Sequence, residues 1–193
     1  MTHNFHPTML REYDIRGIVG DTLSDADAYA IGRSFATLVR RAGGKRVAVG
    51  YDGRLSSPML TGALMEVDLS SLTRARRAGG NRVAVVYDGG LSSPMLTDAL
   101  IDGINAAGVD ALNVGLGPTP MLYYAASTED VDGGIQITGS HNPPDYNGFK
   151  FVMQGRPFYG ADILGIGKMA AAGDWDSGEG WSESIDIVDA YVG

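Results

Sequence analysis

Hydrophobic and polar positions along this chain alternate between strand-like and helix-like periods. Tyr13 to Val19 reads as a short strand, broken by Gly17 and followed by turn chemistry at Gly20-Asp21. Ser24 stands where an N-cap belongs, with Asp27 three residues on as a capping-box acid. Ile31, Phe35, Leu38 and Val39 then recur at helical spacing, and Gly43-Gly44 closes that helix. Val47 to Val49 is a short apolar run leading into Tyr51-Asp52-Gly53, and Ser57-Pro58 supplies an N-cap and a first-turn proline. Val109 to Val114 reads as a strand. Thr119 is expected to cap a helix with Pro120 at its first position, ending near Ser127. Gly134 to Thr138 is a strand with Ile135 and Ile137 on one side, Asn147-Gly148 a turn, Phe149 to Val152 a short strand, and Ile163 to Ala172 a short helix. Strands separated by helical segments predict an α/β domain of three layers. Its sheet is expected to be mixed but mostly parallel, with helices on both faces.

One feature interrupts this order. Residues 40–64 and 76–100 are near-copies offset by 36 residues, identical at 21 of 25 positions. Two copies with no further repetition do not make a solenoid, and a tandem duplication of one strand–loop–helix segment is the simpler reading. The second copy runs on into an amphipathic helix, Pro94 to Ala107, with Leu96, Leu100, Ile104 and Ala107 on one face. After the first copy, residues 65–72 hold Asp68, Ser70 and Ser71 and read as a loop. By that continuity Val83 to Val85 is expected in the native strand position, with residues about 45–75 displaced.

Composition narrows the class. The 193 residues can bury a sizeable core as one domain, and 28 glycines without a Gly-X-Y period point to loops with special backbone demands. A net charge of -8 argues against general nucleic-acid binding, though one local basic pocket would suffice for a small anionic substrate. The absence of cysteine excludes disulfides and thiolate metal sites. Residues 1–11 lack a signal-peptide pattern and no stretch reads as a membrane span, so a cytoplasmic setting without membrane partners is expected.

The densest chemistry lies in ITGSHNPPDYNGFKF, residues 137–151. A strand delivers Thr138, Gly139 permits a tight turn that exposes Ser140, and His141 follows. Asn142 and two prolines stiffen the return, and Lys150 lies on a strand able to fold back beside the serine. A hydroxyl, an imidazole and an ammonium on one loop suit phosphate chemistry. On the residues alone, an ordinary polar surface turn remains open. A serine–histidine hydrolase is the weaker alternative, because adjacent side chains seldom reach nucleophile–base geometry and no G-x-S-x-G elbow is present.

TGSHNPPDYNGFK resembles the phosphoserine loop of the α-D-phosphohexomutases of the phosphomannomutase/phosphoglucomutase type. REYDIRG (Arg11 to Gly17), VGYDGRLSSP (Val49 to Pro58) and GLGPTP (Gly115 to Pro120) are similar to further signatures of that family. The resemblance covers about residues 8–160 and implies the family's first domain over 1–160, with 161–193 as the domain's edge and the start of a linker. It makes Ser140 the carrier of the transferable phosphate and, through that phosphate, a ligand of Mg²⁺. His141, Lys150 and Arg16 fall at catalytic positions; Arg54, Asn142 and Tyr13 at positions around the substrate phosphate. In the second copy Gly90 stands where the first has Arg54, and Val86 where it has Gly50.

The implied activity is reversible transfer of a phosphoryl group between the 1- and 6-positions of hexose phosphates, an intramolecular phosphotransferase reaction. Phosphoserine donates to the free hydroxyl of a sugar monophosphate, and the other phosphate of the resulting hexose 1,6-bisphosphate returns to Ser140. The implied partners are these sugar phosphates and three further domains, which would carry the aspartates for Mg²⁺, a sugar-reading loop and a phosphate pocket. The chain alone is expected to show no measurable turnover, since positioning needs groups from several domains. An inactive structural or binding module and an amino-sugar phosphomutase of the same superfamily stay open as alternatives.

Overall fold

The computed structural model describes residues 1–44, 46–51, 82–83, 85–86, 93–139, 142–143 and 145–193. The helix expected from Ser57-Pro58 and the loop at 65–72 lie outside the described residues. Strand β1 (Ile15–Ile18) leads through a turn into α1 (Asp25–Arg41). The capping box forms as the spacing predicts: the Ser24 hydroxyl accepts from Asp27 N–H at 3.3 Å, and Asp27 Oδ2 accepts from Ser24 N–H at 2.8 Å. Gly43 at φ 80° turns the chain out of the helix, as an L side chain rarely would. The first copy of the repeat supplies β2 (Arg46–Tyr51). The second supplies β3 (Arg82–Val83), β4 (Val85–Val86) and the start of α2 (Ser93–Ala106). Then follow β5 (Asp110–Leu116), α3 (Thr119–Thr128), β6 (Gly133–Ile137), β7 (Tyr146–Met153) and β8 (Arg156–Pro157). The last elements are α4 (Ala161–Ala172), β9 (Ser182–Ser184) and α5 (Val188–Val192).

The nine strands among the described residues share one sheet. It is mixed: β7 runs antiparallel to β1, β6 and β8, whereas β5 runs parallel to β9 and β2 parallel to β6. Two local expectations change. The N-cap of α3 is Pro118, with no side-chain cap bond, and Thr119 is already helical. Asn147-Gly148 is not a turn but lies inside β7, because β1 pairs alongside it and extends the ladder to Tyr146. The expected displacement of the first copy is not what the sheet shows: β2 carries the longer ladder, pairing Val47 to Tyr51 with Gly133 to Ile137.

Alternation along the strands separates two cores. Ile15, Ala111, Ile135, Ile137, Phe149 and Phe151 point to the face covered by α1, α2 and α4. There α1 and α2 approach until their backbones touch: a Cβ on Gly32 would lie 2.2 Å from Leu100 O, and one on Gly103 2.1 Å from Tyr29 O. Leu112, Val114 and Val152 point to the other face, covered by Met121, Leu122 and Ala125 of α3 and by Ile187.

Residues 161–193 lie against this frame. Ile163 and Ile166 of α4 enter the larger core. Beyond it, Arg41 bridges Asp174 and Asp176 at 2.9 Å, and hydrogen bonds from Arg41 hold the Asp174 carboxyl below its usual range. Trp175 Nε1 donates to Ser34 Oγ at 2.8 Å beneath the Arg33 guanidinium, and β9 then adds to β5. Among the described residues no helix is long and apolar enough to cross a membrane.

Candidate active site

The site grows from the end of β6. Thr138 N–H donates to Gly148 O at 2.9 Å, so the β6–β7 ladder stays closed to the last residue before the loop. Asn142 then donates twice to Gly139 O, from its backbone N–H and from Nδ2, each at 3.1 Å. These bonds bring Asn142 back to Gly139, and Ser140 and His141 lie between the two in sequence. Those two, and Arg54, lie outside the described residues. A further bond, Tyr146 N–H to Pro143 O at 3.0 Å, returns the chain to β7.

Two cations reach this region from neighbouring strands. Arg16 on β1 pairs with Gly148 on β7, and Lys150 on β7 pairs with Gln136 on β6. Since Ile15 and Phe149 face the larger core, Arg16 and Lys150 point to the opposite, α3 side. They stand one diagonal step apart, about 7–8 Å between backbone positions. Gly148 makes the crossing possible: a Cβ there would come within 2.7 Å of Ile15 O and 3.3 Å of Arg16 Cβ. Arg16 is buried, paired to Asp14 at 2.5 Å, and its Nε has no hydrogen-bond partner among the described residues. A desolvated guanidinium with donors to spare is suited to a planar or tetrahedral oxyanion.

Tyr13 and Lys150 line one cavity of about 430 Å³ with Tyr123, Phe158 and Tyr159. Tyr13 sits at its mouth, 73% exposed, its ring 6.1 Å from that of Tyr159. Of the residues named from sequence, the structure therefore brings Arg16, Lys150 and Tyr13 to one region and Asn142 back to Gly139. Sequence reasoning passes over Asp14 and Gln136. Asp14 lies just ahead of β1, two residues before the Arg16 it pairs with, a signal present in the spacing. Gln136 is fully buried between two isoleucines of β6 and reaches Gly117 O of the Gly115 to Pro120 loop at 3.4 Å. Among the described residues no group of three or more His, Cys, Asp or Glu side chains could hold a metal ion.

This architecture defines a class: an α/β/α domain whose polar loop leaves the sheet beside two cations held on one face. The model for the phosphoglucomutase/phosphomannomutase α/β/α domain I matches residues 7–74 and 69–176, and each stretch contains one copy of the repeat. The chain is 36% identical over 184 residues to the phosphomannomutase/phosphoglucomutase of Pseudomonas aeruginosa, covering 95% of this chain and 32% of that protein. It is 39% identical over 155 residues to a phosphoglucomutase of Neisseria gonorrhoeae, covering 80% of this chain and 26% of that one. A solved phosphoglucomutase/phosphomannomutase family protein from Burkholderia thailandensis superposes with a TM-score of 0.76 at 37% identity, over 97% of this chain and 35% of its own. The chain belongs to the phosphoglucomutase/phosphomannomutase family, and it spans about a third of the length of the curated relatives it matches.

Proposed function

We propose that this chain is the phosphoryl-carrying first domain of a phosphomannomutase/phosphoglucomutase, and that Ser140 is the residue that carries the phosphate. The observation behind the reading is the pair of hydrogen bonds from Asn142 to Gly139 O, with Ser140 between the two residues in sequence and Arg16 and Lys150 on the adjoining strand face. In this reading Ser140 Oγ gives its phosphoryl group to the free hydroxyl of a hexose monophosphate and receives one back from the hexose 1,6-bisphosphate. Arg16 and Lys150 offset charge on the equatorial oxygens, and His141 assists the proton that leaves the accepting hydroxyl. Arg54, Tyr13 and Asn142 border the phosphate.

A bound Mg²⁺ would supply further charge neutralisation. The described residues offer it no cluster of their own; in this reading the Ser140 phosphate is one ligand and further domains supply the others. Packing against three further domains and a cytoplasmic location belong to the same proposal. So does the finer architecture: a three-layer, mostly parallel first domain over residues 1–160 that contains a 36-residue duplication.

The test is intact-mass and peptide analysis after incubation with glucose 1,6-bisphosphate. The expected result is one phosphate on the peptide containing Ser140 and none in Ser140→Ala. Equal phosphate on the variant would sink the assignment.

A further inference from the structure

The two copies of the repeat meet the same neighbours in the same register. Val49 and Val85 both pair with Ile135, Gly50 and Val86 both with Gln136, and Arg46 and Arg82 both with Asp110. Each of these pairs of residues is separated by the 36-residue offset of the duplication. One edge of β6 is taken by β7, and one edge of β5 by β9, so each has a single edge left. Strands in a sheet lie about 4.8 Å apart, and one edge position accepts one strand. Two extra strands inserted side by side would give β6 to one copy and β5 to the other. Here each copy pairs with both β5 and β6. Among the described residues the copies pair with each other at the strand starts, Arg46 with Arg82 and Val47 with Val83.

We infer that β2 and the β3–β4 pair are alternative occupants of one strand slot between β5 and β6, exchanged in a single register. The ladder itself does not distinguish them, because Arg46-Val47-Ala48-Val49 is repeated without change at Arg82-Val83-Ala84-Val85. Within the strands the first difference falls beside the buried Gln136, where the register position is glycine in one copy and valine in the other. Valine has the higher strand propensity, whereas glycine leaves more room next to a buried amide, so the two terms oppose. By sequence, the occupant also decides whether the loop with Arg54 or the loop with Gly90 follows the strand.

Hydrogen exchange read by mass spectrometry on the whole chain tests this. An amide can be protected only as far as its strand holds the slot, so neither copy should match Gly133 to Ile137 of β6. Proline in a central strand removes a ladder donor. Val47→Pro should therefore raise protection at 82–86, and Val83→Pro should raise it at 46–51, by about ten-fold or more. Two single-copy variants, lacking residues 46–81 or 55–90, should keep a cooperative thermal transition and protect the remaining copy as strongly as β6. Three results overturn the inference: both copies of the parent chain protected like β6, a proline in one copy without effect on the other, or loss of the transition in either deletion.

Discussion

On one face of the sheet, α1, α2 and α4 enclose an unbroken apolar core, and α1 meets α2 so closely that Gly32 and Gly103 admit no side chain. On the other face, α3 and Ile187 cover a smaller cluster, and β1, β6 and β7 present Arg16, Gln136 and Lys150 beside it. The same strands build both faces, since alternate residues point opposite ways. The difference teaches where this fold keeps its stability and where it can accommodate polar groups. A buried cation, Arg16, and a buried amide, Gln136, are costly, and they stand with the half-buried Lys150 where the helical cover is thinnest.

The comparison predicts its largest effect at Gly103. A methyl group there would fall 2.1 Å from Tyr29 O, a backbone atom that cannot rotate aside. Gly103→Ala should therefore cost about 1–3 kcal/mol, the usual range for overpacking a close contact. Urea unfolding followed by circular dichroism would measure it. An unchanged midpoint would mean that α1 and α2 separate freely and that this face is not the rigid one.

Lys150 gives the opposite expectation. It is half-buried at the cavity with Tyr13, and no apolar cluster includes it. Lys150→Gln should leave stability within about 0.5 kcal/mol, as for a side chain outside the core. Inorganic phosphate is expected to stabilise the parent chain against heat, and that stabilisation should shrink in the same variant. A loss of stability comparable to Gly103→Ala would make Lys150 a structural residue and erase the contrast between the faces.

Much of the larger face is legible in the sequence. Ser24 and Asp27 mark the start of α1, and Ile31, Phe35 and Val39 its buried stripe, because capping and helical period are local properties. Ile135 and Ile137 likewise declare their common side. What local reading cannot supply depends on partners distant in the chain. Gly148 reads as a turn residue beside Asn147, and only the crossing of β1 reveals it as the place where Arg16 must pass. Gly32 and Gly103 carry no signal until the two helices are laid together. The choice between two nearly identical strands is out of local reach for a related reason. Helix continuity favours the second copy, but both copies meet β6 in the same register. The candidate site follows the same division: Arg16, Lys150 and Tyr13 stand out as motif residues, while Gln136 needs the sheet.

The smallest expected effect is at Asp98, on α2. Partial burial raises the pKa of its carboxyl, and repulsion from Asp102, one helical turn on, raises it further. A carboxylate raised in the folded state binds its proton more tightly there than in the unfolded chain. Stability must then fall as pH rises from the ordinary carboxylate range, near about 3.9, through the raised value, and the whole penalty is present at neutral pH. Asp98→Asn removes the charge while keeping the shape, so it should raise the melting temperature slightly at pH 7. The gain should shrink as pH is lowered and vanish once Asp98 is protonated in both states. Thermal melts of parent and variant between pH 3 and pH 7 would follow the difference. A gap that stayed constant across that range would show that the asparagine acts through helix propensity or packing. A gap of opposite sign would mean that the carboxylate has a favourable partner on α2, and that the outer side of this helix contributes to the stability of its face.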